Sequence, residues 1–116
     1  MKFVADTHSH TLASGHAYST IKEMAAAAKA RGLQALALTE HAPEMPGTCG
    51  IFYFQNLDVV PRECNGVRLL MGAEVNIMNP DGEIDIPEET CREMDIVVAS
   101  MHTPCYGTDH TPEENI

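Results

Sequence analysis

The chain has no tryptophan, few aromatic residues and few basic residues. Its 116 residues include 7 Lys and Arg against 17 Asp and Glu, which gives a net charge of −10. A surface that binds duplex nucleic acid needs clustered basic residues, and a base-stacking surface needs aromatic rings. The composition therefore argues against a nucleic-acid partner. The same negative charge suits bound divalent cations, because each cation cancels two charges.

Long apolar runs and paired cysteines are also missing. No stretch approaches the roughly 18 consecutive apolar residues of a membrane span. The acid Asp6 and the histidine His8 follow the N-terminus too soon for a signal peptide. The four cysteines are widely spaced and form no C-x-x-C pair, which predicts free thiols. We therefore expect a cytoplasmic protein with no membrane partner.

Strands and helices are expected to alternate along the chain. The predicted strands cover residues 2–7, 35–39, 67–73 and 95–100, and a turn at 79–82 leads to a short extended piece at 83–86. The second and fourth strands are continuously apolar, as in strands that are buried on both faces. The predicted helices run from Thr20 to Arg31, from Phe54 to Cys64 and from Pro87 to Met94. This order predicts an α/β fold with a parallel sheet or barrel.

Helix-boundary signals occur at both ends of the chain. Thr20 and Glu23 have the spacing of a capping box, and Gly32 stands where a helix often ends. The run Thr111-Pro112-Glu113-Glu114 has the pattern of another helix start, with two residues after it. A closed barrel of this kind needs about 200 residues or more. We therefore interpret residues 1–116 as one domain that is the N-terminal part of a barrel continuing beyond residue 116.

Metal-ligand residue types stand at the ends of the predicted strands. His8 and His10 follow the first strand, His41 follows the second, Glu74 closes the third and His102 follows the fourth. In parallel α/β folds the functional site lies at this edge of the sheet. We therefore expect the five side chains to converge there. Several imidazoles with one carboxylate suit zinc best, and also manganese or iron.

The individual signals differ in strength. An H-x-H pair is most often two surface or core histidines, and His16 alone would be a solvated loop residue. Glu74 is a stronger signal, because a carboxylate in an apolar strand is costly to bury unless it is paired or bound to metal. Asp6 is expected either to orient an imidazole or to accept backbone hydrogen bonds. Arg62 is expected to be an exposed helix residue rather than a phosphate ligand.

Five short motifs carry a more specific resemblance. They are, in chain order, Asp6-Thr7-His8-Ser9-His10, Gly15-His16, Thr39-Glu40-His41, Gly72-Ala73-Glu74 and Ser100-Met101-His102. Together they resemble the successive motifs of the PHP (polymerase and histidinol phosphatase) superfamily, and most closely its stand-alone phosphatases. The run Asp81-Gly82-Glu83-Ile84-Asp85 also resembles that subgroup. One departure is Glu40, where the family usually has Asp.

The resemblance implies the N-terminal portion of a (βα)7 barrel that holds up to three divalent metal ions. It implies that His8 and His10 hold the first metal, that Glu74 bridges the first and second, and that His102 holds the second. His16 and His41 resemble the ligands of a third metal. Glu74 and His102 are the residues expected to take part in catalysis. The family's remaining ligands belong to later strands.

The expected function is hydrolysis of a small phosphomonoester by a hydroxide that bridges two metals. One alternative is an amidohydrolase-like or nuclease-like metal barrel, which also opens with H-x-H but lacks the His16 spacing and Thr39-Glu40-His41. Another is a metal-binding fragment that turns over no substrate. We also expect the fragment to self-associate, because its first and last strands would leave open edges.

Overall fold

The computed structural model describes residues 2–106, which form a sheet curled into a half-barrel. The strands are β1 (Ala5–Asp6), β2 (Ala35–His41), β3 (Glu63–Cys64), β4 (Val67–Asn76) and β5 (Ile96–Ser100). Strands β1, β2, β4 and β5 are parallel to their neighbours in that order, and β3 pairs antiparallel with the start of β4. The expected α/β fold with a parallel sheet is therefore confirmed.

Three helices follow the pattern expected from the sequence only in part. They are α1 (Ile21–Ala30), α2 (Ile51–Gln55) and α3 (Glu88–Arg92), and 3-10 turns lie at Leu12–Ser14 and Leu57–Val59. The capping box of α1 is confirmed: Glu23 N donates to Thr20 Oγ1 at 3.2 Å, and Thr20 N donates to Glu23 Oε1 at 2.9 Å. Gly32 ends this helix with a positive φ of 77°.

The predicted helix over residues 54–64 is wrong. Helix α2 begins earlier, at Ile51, and the later residues form the second 3-10 turn and strand β3. Pro61 cannot donate a helical hydrogen bond. Asn65 and Gly66 both have positive φ, as the two residues of a type I′ hairpin turn do. The Asn-Gly pair was the sequence signal for this β3–β4 hairpin.

Strand lengths and burial also depart from the expectations. Strand β1 has two residues in place of the expected six, whereas β4 continues three residues beyond Ala73 to Asn76. Strand β5 is not buried on both faces: Val97 is 40% exposed, and Ala99 is exposed too. No helix within residues 2–106 covers that side of β5. The helix start expected at Thr111 lies outside the described residues.

The pleat of β4 separates the core from the concave side of the sheet. Its odd-numbered residues, from Val67 to Val75, pack beneath the three helices in two apolar clusters. The even-numbered residues, including Glu74 and Asn76, therefore face the opposite, concave side. The register places His41 beside Glu74, so both side chains lie on that side near the C-terminal ends of their strands.

The four cysteines are free thiols. Within the part of the chain that the structure describes, no helix is long and apolar enough to cross a membrane.

Gly72 is required where β4 approaches β5. A Cβ on Gly72 would lie 1.8 Å from the carbonyl oxygen of Ile96. We predict that Gly72→Ala lowers the free energy of unfolding by about 1–3 kcal/mol, because β5 must move to relieve the overlap. Gly50→Ala is the control, since a Cβ there meets no atom within 4 Å and its cost should stay below about 1 kcal/mol. Urea-induced unfolding measures both, and equal midpoints would contradict the close approach.

Candidate metal centre

The Glu74 carboxylate lies among four imidazole rings. Its side chain is 5% exposed, and Oε2 lies 3.0 Å from His8 Nε2, 3.2 Å from His10 Nε2 and 3.2 Å from His41 Nδ1. The other oxygen, Oε1, lies 3.1 Å from His102 Nε2. Four ring nitrogens from three separate parts of the chain therefore meet at one carboxylate.

The segment after β1 is held against β2 by Ser9. Its backbone N donates to Thr39 Oγ1 at 3.2 Å, and its backbone oxygen accepts from Thr39 N at 2.8 Å. His8 and His10 lie on either side of Ser9 in this extended segment, so alternation directs both rings to the same side. This explains how a strand of two residues can still aim an H-x-H pair at Glu74.

Two buried atoms of this cluster have no hydrogen-bond partner among the residues that the structure describes. They are Glu74 Oε2 and His41 Nδ1. A buried carboxylate oxygen without a donor is unfavourable unless another positive group neutralises it. Imidazole nitrogens and carboxylate oxygens are the ligands that zinc and related divalent metals prefer. The donor set therefore fits metal ions.

The potential ligand atoms form two sets of three that share Glu74. One set is His8, His10 and Glu74, the other is His41, Glu74 and His102, and the atoms of each set lie within 4.8 Å of one another. A carboxylate common to both sets can bridge two cations. The bridging position expected for Glu74 stays a prediction. His41 belongs to the second set and its ring also lies beside that of His16, with 5.5 Å between the centroids, so the expected pairing of His16 and His41 at a third metal stays a prediction too.

His16 lies at the margin of the cluster. Its ring centroid is 5.5 Å from that of His41, and Nε2 donates to Pro46 O at 2.9 Å. Gly15 has a φ of 75°, and a Cβ there would lie 2.0 Å from Gly47 O, so the loop requires glycine at this position. The structure thus brings all six predicted ligands to one edge of the sheet. Their roles as metal ligands stay predictions.

The protonation states favoured here are those that metal binding needs. Burial lowers the pKa of His10 and of His41, although the nearby Glu74 opposes the effect. Burial raises the pKa of Glu74, but the hydrogen bond from Ser100 and the neighbouring imidazoles outweigh it, and the pKa of Glu74 is below its ordinary value. Neutral imidazoles and an ionised carboxylate keep their lone pairs for a cation.

A second carboxylate, Glu40, is fully buried but has donors on both oxygens. Its Oε1 accepts from Thr11 N at 2.8 Å and from Ser14 Oγ at 2.8 Å, and Oε2 accepts from the Thr11 hydroxyl. Tyr53 OH lies 3.5 Å from Oε2. Burial, and then the charge of Glu40, raises the pKa of Tyr53. Thr11, Ser14 and Tyr53 were not expected at this site, since nothing in their local sequence indicates the contact.

Ser14 connects Glu40 to two of the histidines. Its hydroxyl proton goes to Glu40, and the same oxygen accepts from His41 N at 2.9 Å. His10 Nδ1 lies 3.1 Å from that oxygen and must therefore be the donor. The lone pair of a neutral His10 ring is then on Nε2, which faces Glu74.

The structure shows which contacts Asp6 and Arg62 make. Asp6 Oδ1 accepts from His8 N at 3.1 Å, which is the backbone hydrogen bond and not the contact to an imidazole. The expectation of an exposed helix arginine at Arg62 is wrong. This residue follows the second 3-10 turn, donates to Leu57 O at 2.7 Å and pairs with Asp95 Oδ2 at 2.7 Å. Asp95 precedes β5, so Arg62 lies at the opposite end of that strand from His102.

Comparison with known proteins identifies the family. Residues 6–115 match the PHP domain. The chain belongs to the PHP domain family. Its expected resemblance is thereby confirmed over almost the whole sequence.

The relatives of this PHP domain include probable phosphatases. One from Thermoanaerobacter sp. (strain X514) is 49% identical over 115 residues, covering 99% of this chain and 47% of the relative. Another from Clostridium novyi is 50% identical over 115 residues, with the same coverage. A third from Photobacterium profundum is 49% identical over 115 residues, covering 96% of this chain and 47% of the relative. The chain spans about half the length of the curated relatives it matches.

We predict that Glu40→Gln lowers the free energy of unfolding by about 1–3 kcal/mol, because an amide NH2 would face the donors of Thr11 or Ser14. Chemical denaturation gives the value. Glu44→Gln makes the same change at an exposed position three residues after His41 and should stay within about 0.5 kcal/mol of the wild type. If both variants unfold alike, the buried network contributes nothing to stability.

Proposed function

We propose that this protein is a metal-dependent phosphoesterase that hydrolyses small phosphomonoesters. The observation that carries the proposal is the buried Oε2 of Glu74, which has three imidazole nitrogens within 3.2 Å and no hydrogen-bond partner among residues 2–106. The names of the relatives, which are probable phosphatases, favour phosphate esters as the substrate class. The net charge of −10 disfavours nucleic acid as a substrate.

The proposed ligand atoms would hold two divalent ions. His8 and His10 would hold one, His41 and His102 the other, and Glu74 would lie between them. Bound there, the ions would lower the pKa of a water molecule and neutralise charge on the phosphate group. Zinc suits the four imidazoles best, and manganese or iron become suitable when oxygen ligands are added.

A third ion remains part of the proposal through His16. Its Nε2 donates to Pro46 O, so a neutral ring carries its lone pair on Nδ1. That nitrogen is the ligand atom we assign to it, next to the His41 ring. The activation of water expected from the sequence also remains a proposal. The chain's own residues contribute by directing the proton of His10 to Nδ1, away from Glu74.

The competing functions are separated by family and by experiment. The names of the relatives, which are probable phosphatases, favour a phosphatase over an amidohydrolase-like or nuclease-like protein. An inert metal-binding chain differs from an enzyme only in turnover, so metal binding and hydrolysis must be measured separately on the same preparation.

We predict that Glu74→Gln loses at least one bound cation and most of the hydrolysis of p-nitrophenyl phosphate. Even an outer partner of a ligand is worth about 10–100-fold in affinity, so removal of the shared ligand should cost at least as much. Calorimetric titration of the metal-stripped protein with zinc or manganese gives stoichiometry and affinity. Glu44→Gln, which alters an exposed carboxylate, should match the wild type in both assays.

Two results would count against the proposal. Full hydrolysis by metal-stripped Glu74→Gln would refute the mechanism. If the wild type binds two cations tightly but hydrolyses nothing, the chain binds metal and the proposal that it is an enzyme is wrong.

We also propose that the chain self-associates through β5. Within residues 2–106, β5 pairs with β4 alone and β1 with β2 alone, so each has an open edge. Val97 is 40% exposed on the side of β5 that corresponds to the helix-covered side of β4. Open edges and uncovered apolar faces favour pairing with another chain. A second copy is the partner we propose, and it could add histidines to the metal centre.

Sedimentation equilibrium tests this association. We expect a mass that is a multiple of 12.6 kDa, and we expect Val97→Lys to shift the protein towards the monomer by placing a charge at the interface. Val59→Lys makes the same change at a residue that is 66% exposed away from β5 and should leave the assembly intact. A compact wild-type monomer at all concentrations would show that the proposal is wrong.

A further inference from the structure

The side chain of Asn76, at the end of β4, is fully buried and uses both of its polar atoms. Its Nδ2 donates to Asp85 Oδ2 at 2.6 Å, and its Oδ1 lies 2.6 Å from His102 Nδ1. The backbone N of Asn76 donates to the other oxygen of Asp85 at 2.9 Å. A continuous chain of contacts therefore runs from a carboxylate, through an amide, to one of the proposed metal ligands.

The direction of these hydrogen bonds follows from their chemistry. A carboxylate oxygen can only accept, so the NH2 of Asn76 must face Asp85, and its carbonyl oxygen must face His102. That oxygen also can only accept, so His102 Nδ1 must carry a proton. The lone pair of the neutral ring is then on Nε2, which lies 3.1 Å from Glu74 Oε1.

Asp85 also orders the backbone around this contact. Its Oδ2 accepts from Glu44 N at 3.0 Å, in the loop that follows His41. Ile77 and Ile84 form an isolated bridge that folds the intervening turn back towards β4, and Ile86 is 2% exposed in the core. The run Asp81–Asp85 contains none of the proposed metal ligands. Its last residue, Asp85, is thus fixed near the ends of β2, which carries His41, and β5, which precedes His102.

We propose that Asp85 is a positioning residue of the metal centre. Through Asn76 it holds His102 in the Nδ1–H tautomer and so keeps Nε2 available to a cation bound with Glu74. A histidine ligand whose second nitrogen is held in this way loses less freedom on binding and presents the correct nitrogen. This inference rests on the proposed metal centre, but the tautomer can be measured without any metal.

The Asp85→Asn variant tests the role of the carboxylate. The amide that replaces the carboxylate can donate as well as accept, so Asn76 is free to turn over and face His102 with its NH2. His102 Nδ1 would then have to accept, and the proton would move to Nε2, where it blocks metal binding. Asp81→Asn is the matched control: it lies in the same turn, and its side chain is exposed.

Two-bond ¹H–¹⁵N correlation spectra of the metal-free protein, recorded at mildly alkaline pH, distinguish the two tautomers of a histidine ring. The His102 signals are assigned by their absence in His102→Gln. We expect Nδ1–H in the wild type and in Asp81→Asn, and a loss of that preference in Asp85→Asn. Zinc affinity should fall by about 10–100-fold in Asp85→Asn alone.

The outcomes separate this inference from the proposed function. Wild-type protein that binds no zinc would overturn the metal centre and, with it, the role of Asp85. Tight zinc binding with an unchanged tautomer and affinity in Asp85→Asn would overturn only the role of Asp85. Should Asp85→Asn not fold, the wild-type spectrum decides, because an Nε2–H ring at His102 overturns the inference by itself.

Discussion

The parallel register between β2 and β4 is the constraint on which the site depends. It places His41 directly beside Glu74, with both side chains on the concave side of the sheet. A slip of one residue would send Glu74 into the core beneath the helices and bring Val75 to the concave side. The register is held by the apolar residues that alternate with the site residues, since Leu36 and Leu38 pair with Leu69 and Met71 in the same core cluster. Core packing at one end of the strands thus positions the polar residues at the other.

The two buried carboxylates at this edge have different surroundings, although both are costly to bury. Glu40 accepts hydrogen bonds from Thr11 and Ser14 and therefore needs no ion. Glu74 lies against imidazole nitrogens, and a cation would stabilise both their lone pairs and the carboxylate. Its Oε2 has no hydrogen-bond donor among the described residues. The difference arises from their sides of the sheet. Glu40 faces the first loop and helix α2, whereas Glu74 faces the concave side where the histidines gather.

The two proposed ligand sets share a further feature. In each, one histidine has its Nδ1 proton directed by a buried or half-buried carboxylate through a single polar side chain: Ser14 for His10, and Asn76 for His102. Both arrangements leave Nε2 towards Glu74.

Local patterns determined the kind of fold and most of the candidate site. The alternation of strands and helices, the capping box at Thr20 and the ligand residue types at strand ends could be predicted, because each depends on neighbours within a few positions. The β3–β4 hairpin was also encoded locally, in Asn65 and Gly66, and was missed because residues 54–64 were interpreted as a helix. What only the tertiary structure decided are contacts between distant segments. Glu40 meets Ser14 across 26 positions, and His102 meets Asn76 across another 26. Sequence periodicity indicates which face a side chain occupies, but the partner that it meets there depends on strand register and on how loops fold back over the sheet.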